Sequence, residues 1–452
     1  MTAVERSPAT PVDAALLPAL RRRTTGVLVA SQILGGLGVA TGIALSAVLA
    51  RQVSGTEALS GLAPTATVAG TAVLSMPMAA LMTARGRRPG LVLAYLVGAL
   101  GACVVVVAAR AGNYPLLLCG MAAFGAASSA NLQARFAAAD LAEPRRRARA
   151  ISNVVWATTI GAVLGPNIAA PAGRSVAGLG IPPAAGPFLW AAGIFVMAAV
   201  LVAVLLRPDP LLTARALAPR EERSPQARSL RAGLAAVVAS PRARLALVTV
   251  AVSHTAMVSV MSMTPLDLTH HGASIDLIGL VISGHIAGMY AFAPLMGRLA
   301  DRVGRLSVAG LAAGLLAVAM FLAGTAGASH GQTAAGLFVL GLGWSAGLVS
   351  GSALLTDSVP QSARAAAQGI SDLTMNTSAG FGGAIAGLIV AQASYAWLNA
   401  AAASLLVPLA VLVLFARTGD RKGKGKGKGK AKGNEGRSRT AAEDGPPGVR
   451  PS

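Results

Sequence analysis

Apolar residues run along this chain in long blocks separated by short polar stretches. Six blocks occupy residues 25–50, 60–83, 90–109, 116–136, 151–172 and 187–206, and six more occupy 245–266, 275–296, 306–326, 333–355, 365–391 and 395–416. At ~1.5 Å of rise per residue, each is long enough to cross ~30 Å of hydrocarbon as a helix. A helix satisfies its own backbone hydrogen bonds, which lipid cannot do for it. The pattern therefore predicts an all-α membrane protein with 12 transmembrane helices. Residues 1–24 are polar and end in Arg21-Arg22-Arg23. The apolar run behind them is too long for the core of a cleaved signal, so it reads as an uncleaved first helix. Residues 207–244, rich in Arg, Pro and Glu, form a polar connection between the two sets of six.

Composition agrees. Of 452 residues, 54% are hydrophobic and only 12% charged, too few charges to cover a soluble protein of this length. The net charge of +21 raises the possibility of nucleic-acid binding, but its distribution points elsewhere. With alternate loops assigned outward, only Arg51, Arg110 and Arg174 lie outside. That asymmetry places both termini in the cytoplasm, in a plasma membrane, and the Ala-, Arg- and Gly-rich usage suits a bacterium with a GC-rich genome. All the lysines fall in "RKGKGKGKGKAKG" (421–433), within a 417–452 tail expected to be disordered and drawn to anionic lipid headgroups. No aromatic residues are interleaved there to stack bases, so no nucleic-acid partner is expected.

No enzymatic chemistry is expected. Cys103 and Cys119 lie inside apolar blocks and read as buried free thiols without metal spacing. His270-His271 has no ligand partners at metal spacing, and no phosphate-binding G-x-x-x-x-G-K-[ST] occurs. "GGLGVATG" (35–42) mimics a dinucleotide fingerprint but follows no strand. No catalytic residue, metal or cofactor is called for.

The two sets echo each other. Gly86 and Gly304, Asp140 and Asp357, Arg147 and Arg364, and Gly165 and Gly382 recur at an offset of about 217 residues. This divides the chain into an N-terminal segment (1–24), a six-helix half (25–206), a linker (207–244), a second half (245–416) and the tail (417–452). Between the eighth and ninth blocks lies "GRLADRVGR" (297–305), with a less charged counterpart, "LMTARGRRPG" (81–90). In the fifth block, "GAVLGP" (161–166) puts Gly161 and Gly165 on one helix face, where another helix can approach closely, and adds Pro166, which removes a backbone hydrogen bond.

On these motifs the chain, over about 21–416, resembles the major facilitator superfamily of secondary transporters. "GRLADRVGR" is similar to its loop signature G-x-L-a-D-R-x-G-R. "GAVLGP" resembles the G-x-x-x-G-P signature of antiporter members, although Ala169-Ala170 stand where a glycine pair usually comes next. The resemblance implies two pseudo-symmetric six-helix halves around a central cavity, working by alternating access. It also implies a cytoplasmic gating loop: Gly297 and Gly304 allow close approach and unusual backbone angles. Asp301 offers a carboxylate to the amides of the fifth helix near Arg149, Arg302 pairs with Asp357, and Arg305 completes the cluster. Thr83 stands where the N-terminal copy should carry an aspartate, so the two sides of this latch are expected to be unequal. A plainer alternative is an arginine-rich loop that serves topology alone, with Gly161, Gly165 and Pro166 as ordinary helix packing.

Ionisable groups at bilayer depth are costly and mark function by default. Asp372, His254 and His285 sit deep in their blocks and are the candidates for proton coupling. The alternatives are histidines that only donate between helices, and an aspartate that pairs with Arg364 or caps backbone. Arg135 lies near the cytoplasmic end of the fourth block and is expected to snorkel. Met121 stands where many proton-driven exporters of the superfamily carry an arginine. The cavity candidates are Gln32, Asn131, Gln133, Trp156, Asn167, Tyr290, Trp344 and Asn376, which are polar or aromatic and uncharged, and so fit a neutral or weakly ionised organic molecule. The expected activity is proton-coupled export of such a molecule by a monomer embedded in the bilayer. Proton-coupled import, or a transport-inactive membrane receptor or scaffold, are the alternatives.

Overall fold

The computed structural model describes residues 16–56, 59–217 and 229–416, and every regular element among them is helical. The lysine-rich tail and most of the polar N-terminal segment lie outside the described residues. The first span, Leu17–Ser54, consists of α1 (Leu17–Ala44) and α2 (Ser46–Ser54). Then come α3 (Leu62–Arg85), α4 (Arg87–Ala111), α5 (Tyr114–Asp140), α6 (Arg147–Ser175) and α7 (Gly186–Leu205). Two short helices come next, α8 (Pro210–Leu217) and α9 (Leu230–Ala239). The C-terminal set is α10 (Pro241–His270), α11 (Ile275–Tyr290) with α12 (Ala293–Val303), α13 (Arg305–Gly324), α14 (His330–Ser358), α15 (Arg364–Gln392) and α16 (Tyr395–Ser404), the last inside a span reaching Ala416. Among the described residues, 11 helices are long and apolar enough to cross a membrane, and the bent α6 makes up to 12.

The helices overrun their apolar blocks because capping residues outside each block still hold the backbone. Asn113 accepts from the amide of Leu116 at the start of α5, and Ser240, Ser329 and Ser394 do the same for α10, α14 and α16. The segment 207–244, expected as a polar connection, departs further. Its α8 buries Leu211, and its α9 sets Gly233 against Ala366 and Ala367 of α15. Two single-residue turns join α3 to α4 and α12 to α13. Gly86 and Gly304 form them at φ of 97° and 99°, a region that side chains disfavour. These turns mark the charged end of the bundle.

One core fills the N-terminal set, where the Phe124 ring lies 5.5 Å from that of Phe188 and 5.3 Å from that of Phe195. Outward faces are also apolar, with Phe415 72% exposed. That corrects the expectation for Cys103 and Cys119, which are exposed. In a membrane helix the face turned to lipid is as apolar as the face turned inward, so an apolar setting does not imply burial.

Tight packing is built from small residues. A Cβ on Gly161 would fall 2.5 Å from backbone atoms of Gly36 and Leu37, and one on Gly165 would fall 2.9 Å from the amide of Thr41. "GAVLGP" is thus the seam between α6 and α1, and the 42° bend of α6 falls at Pro166. Gly161→Leu is expected to cost about 1–3 kcal/mol by overpacking, read as a lower Tm in detergent. Gly193→Leu, where a Cβ meets nothing within 4 Å, should leave Tm unchanged.

Candidate functional site

The two helix sets meet most closely at the charged end. Gly297 of α12 presses on α6, where a Cβ would lie 2.7 Å from Ser152 Cβ and 2.8 Å from the Ala148 carbonyl. Gly369 of α15 presses likewise on Ala79 of α3. At this meeting the carboxylate of Asp301 accepts from the amides of Ala148 (3.2 Å) and Arg149 (3.0 Å), at the start of α6. These amides have no partner within their own helix, and the helix dipole favours the negative charge. Arg305 lies 3.1 Å from Asp301 and 3.0 Å from Asp357, and donates to the Pro144 carbonyl. Arg147 also pairs with Asp357. The expected Arg302–Asp357 pair is therefore corrected. Three residues further on, Arg305 opens the next helix beside Asp357, while Arg302 points away and is exposed. Gly304 supplies the turn between them and has no neighbour within 4 Å of a Cβ.

Deeper in the bundle lies a chain of buried polar groups. Arg87, the first residue of α4, is fully buried. It donates to Asp140 (2.8 and 3.3 Å), to Gln133 Oε1 (2.9 Å) and to Gln368 Oε1. The other end of the Gln133 amide donates to Asp372 Oδ2 at 2.7 Å. Arg135 donates to Asp372 Oδ1 at 2.6 Å, with its guanidinium 4.6 Å from the Phe136 ring centroid. Asp372 and Gln368 belong to α15, the others to α4 and α5, so the chain spans both sets. Two guanidinium groups face two carboxylates, and charge cancels. The Arg135 expectation is also corrected. Its side chain is 2% exposed and turned inward, because a buried carboxylate on α15 offers a better partner than the distant interface. Asp372 pairs with Arg135 rather than Arg364, whose Nε donates to the Thr356 carbonyl.

The remaining candidates fall into separate groups. Trp344 donates its indole N–H to His254 Nδ1 at 2.8 Å, and the Tyr290 ring stands edge-on to Trp344 at 5.4 Å. An indole nitrogen can only donate, so this bond requires Nδ1 of His254 to be unprotonated. Arg135 is close enough to interact electrostatically with both His254 and Tyr290, which joins the aromatic group to the ionic one. Asn376, one turn from Asp372, donates to its backbone carbonyl at 2.8 Å. Gln32 donates to Thr158 at 2.9 Å between α1 and α6, and Asn131 bonds Tyr95 at 2.9 Å within the N-terminal set. Trp156 and Asn167 are exposed on α6, with the Asn167 amide turned back to the Val163 carbonyl. His285 is fully buried and bonds the Leu337 carbonyl of α14 at 2.8 Å, an interhelical role apart from Asp372.

Sequence reasoning passes over Arg87, Gln368, Asp209 and Arg215. Arg87 and Arg88 are adjacent in a loop motif, and nothing in their order says which folds inward. Among the described residues, no group of His, Cys, Asp or Glu could hold a metal ion.

Comparison with known proteins places this geometry. The family model described as Major Facilitator Superfamily matches residues 27–271 and 245–442. YdeG of Bacillus subtilis, an uncharacterised MFS-type transporter, is 37% identical over 403 residues, covering 88% of this chain and 93% of that one. The riboflavin transporter RfnT of Brucella anthropi is 28% identical, covering 87% and 94%. Among solved structures, the proton:xylose symporter XylE superposes with a TM-score of 0.69 at 16% identity, covering 88% of this chain and 96% of that one.

Proposed function

The chain belongs to the major facilitator superfamily, and from that premise we propose that it moves a small organic molecule by alternating access, coupled to protons, in the direction of export. It is a multi-pass membrane protein. In our reading it is a monomer of a bacterial plasma membrane, with the charged end and both termini in the cytoplasm. The halves 25–206 and 245–416 rock against each other around the polar chain. In this reading the contacts of Asp301 and Arg305 make the conformation one closed at the cytoplasmic end.

The observation that carries the coupling is the buried Arg135–Asp372 pair, 2.6 Å long and shared between the halves. A proton on Asp372 removes one of the two charges and leaves Arg135 to its other neighbours. Protonation and parting of the halves are thereby linked. His254, with Nδ1 accepting from Trp344, is the second site able to take up a proton, and doing so breaks that bond. His285 has the weaker claim, since it bonds within its own half.

Trp344 and Tyr290 beside a charge-neutral ionic cluster favour a planar, uncharged or weakly ionised cargo. Because a relative is named for riboflavin, riboflavin is the first compound to try. Met121, where many proton-driven exporters of the superfamily carry an arginine, favours a second reading, uptake by symport. The test is flux in proteoliposomes under an imposed pH gradient, with riboflavin and other planar heteroaromatics. Cargo moving against the proton flow supports exchange and export, and cargo moving with it supports uptake. A carried compound indifferent to the gradient would end the coupling proposal. Removing residues 417–452 should leave flux intact in a carrier; unchanged flux would also argue against a scaffold that works through its tail.

A further inference from the structure

The N-terminal copy of the gating loop lacks its aspartate. Thr83 is buried and turns its hydroxyl to the Ala79 carbonyl of its own helix. The residue at the N-cap of α15, Ala363, has no side chain that could cap it, and α15 is the counterpart of α6, whose start Asp301 caps. Something else holds this side. Arg215, on the linker helix α8, is 7% exposed. Its Nη1 donates to the Thr83 carbonyl at 2.8 Å and its Nη2 to the Ser362 carbonyl at 3.4 Å. Thr83 ends the second span and Ser362 precedes the eleventh, so one guanidinium bridges the two halves.

The platform that carries Arg215 is fixed to the N-terminal half. The Asp209 carboxylate accepts from the amide of Arg88 at 2.7 Å, at the start of α4, and from Leu211 and Leu212 at the start of α8. A Cβ on Gly86 would lie 2.6 Å from that carboxylate, so the glycine turn itself receives the linker. Leu211 anchors α8 in the N-terminal core. From this base Arg215 reaches across to the other half.

We propose that Arg215 is a positioning residue of the gate: the linker supplies, as a cation on two carbonyls, the closure that the N-terminal loop does not supply as an anion on amides. The proposal rests on the alternating-access reading. The two sides of the gate then differ in kind. Asp301 sits on amides that favour its charge, and its contacts are 3.0–3.2 Å. Arg215 reaches the Ser362 carbonyl of the far half at a long 3.4 Å, near the amide end of a helix, which repels a cation. At the linker, the hold on the eleventh span is thus looser than the Asp301 cap on the fifth, while deeper in the bundle Arg87–Gln368 and Arg135–Asp372 also join α15 to the N-terminal half.

The test measures distances between spin labels in full-length protein, with Cys103 and Cys119 replaced by serine. One label pair, on the exposed positions Arg85 and Pro360, reports the second and eleventh spans, and another, on exposed Arg145 and Arg302, reports the fifth and eighth. Arg215→Gln is expected to raise the long-distance population of the first pair about three- to tenfold, the scale of one ordinary hydrogen bond, as suits a contact as long as 3.4 Å, with Tm unchanged. Arg215→Lys, which reaches one carbonyl at a time, should fall between. Asp301→Asn is the control and should lengthen the second pair. If Asp301→Asn shifts distances and Arg215→Gln does not, the linker role is overturned while alternating access stands. A lower Tm for Arg215→Gln without a distance change would also overturn it. If neither variant moves either pair, the alternating-access reading itself fails at this gate.

Discussion

Asp372→Asn is expected to lower Tm sharply and to abolish the pH dependence of transport. The carboxylate is fully buried, and its loss leaves the Arg135 guanidinium charged in a site 2% exposed. Breaking a buried pair by removing one partner costs about 3–5 kcal/mol, because the remaining charge has lost water and gained nothing. Arg135→Gln removes the other charge and should be milder, since Asp372 can take a proton and become neutral. The double variant, Arg135→Gln with Asp372→Asn, removes both charges. It should recover to within about 1–2 kcal/mol of the parent, because two neutral groups meet and Gln133 can still bond to the amide. Its transport should remain indifferent to a pH gradient. Thermal unfolding in detergent and flux in proteoliposomes separate these effects. A double variant as unstable as the sum of the single ones would show that the two residues do not act as a unit.

Gly297→Val is expected to reduce transport by at least tenfold and to leave the charged end open. The site of a Cβ at position 297 is already occupied by Ser152 and the Ala148 carbonyl, which belong to the other half. A branched side chain can fit only if α12 and α6 separate. Overpacking of this kind costs about 1–3 kcal/mol, and the cost falls only on the closed state. A shift of that size moves a two-state balance by roughly 5- to 150-fold. Labelling of a cysteine at Ser152, buried against position 297 in the closed state, with Cys103 and Cys119 replaced by serine, would detect the opening. The same substitution at Gly304 meets no neighbour but strains a backbone at φ 99°, so it should act on the turn and on Tm rather than on closure. Wild-type flux and labelling in Gly297→Val would mean that the close approach at this point has no part in the cycle.

Legibility in the sequence varies residue by residue. The Asp301 carboxylate is expected on the amides near Arg149 and lies there, because motif, helix dipole and loop length constrain it together. The motif assigns Arg302 to Asp357, and the fold assigns Arg305 instead. The two arginines, three apart, flank a glycine whose φ of 99° redirects the chain, and their order does not record that redirection. Position alone sends Arg135 to the interface. Its actual partner, Asp372, is more than two hundred residues away in sequence, and no local rule connects them. Gln133 reads as a cavity group but is held at both ends, between Arg87 and Asp372.

Periodicity and composition along the chain suffice for the features that depend on near neighbours and on the solvent. Helices must span where apolar blocks are long enough, charged loops must avoid lipid, and glycines at helical spacing must mark close approach. Each of these rests on local spacing and on a hydrocarbon that cannot bond to backbone. Which face of each helix meets another helix rather than lipid is a property of the fold alone. In a bilayer both faces are apolar, so hydrophobicity does not distinguish them. Hence the exposed cysteines, the inward Arg87 and Arg135, and the linker arginine bridging two halves are settled by packing and by pairing of buried charge, which act between segments far apart in the sequence.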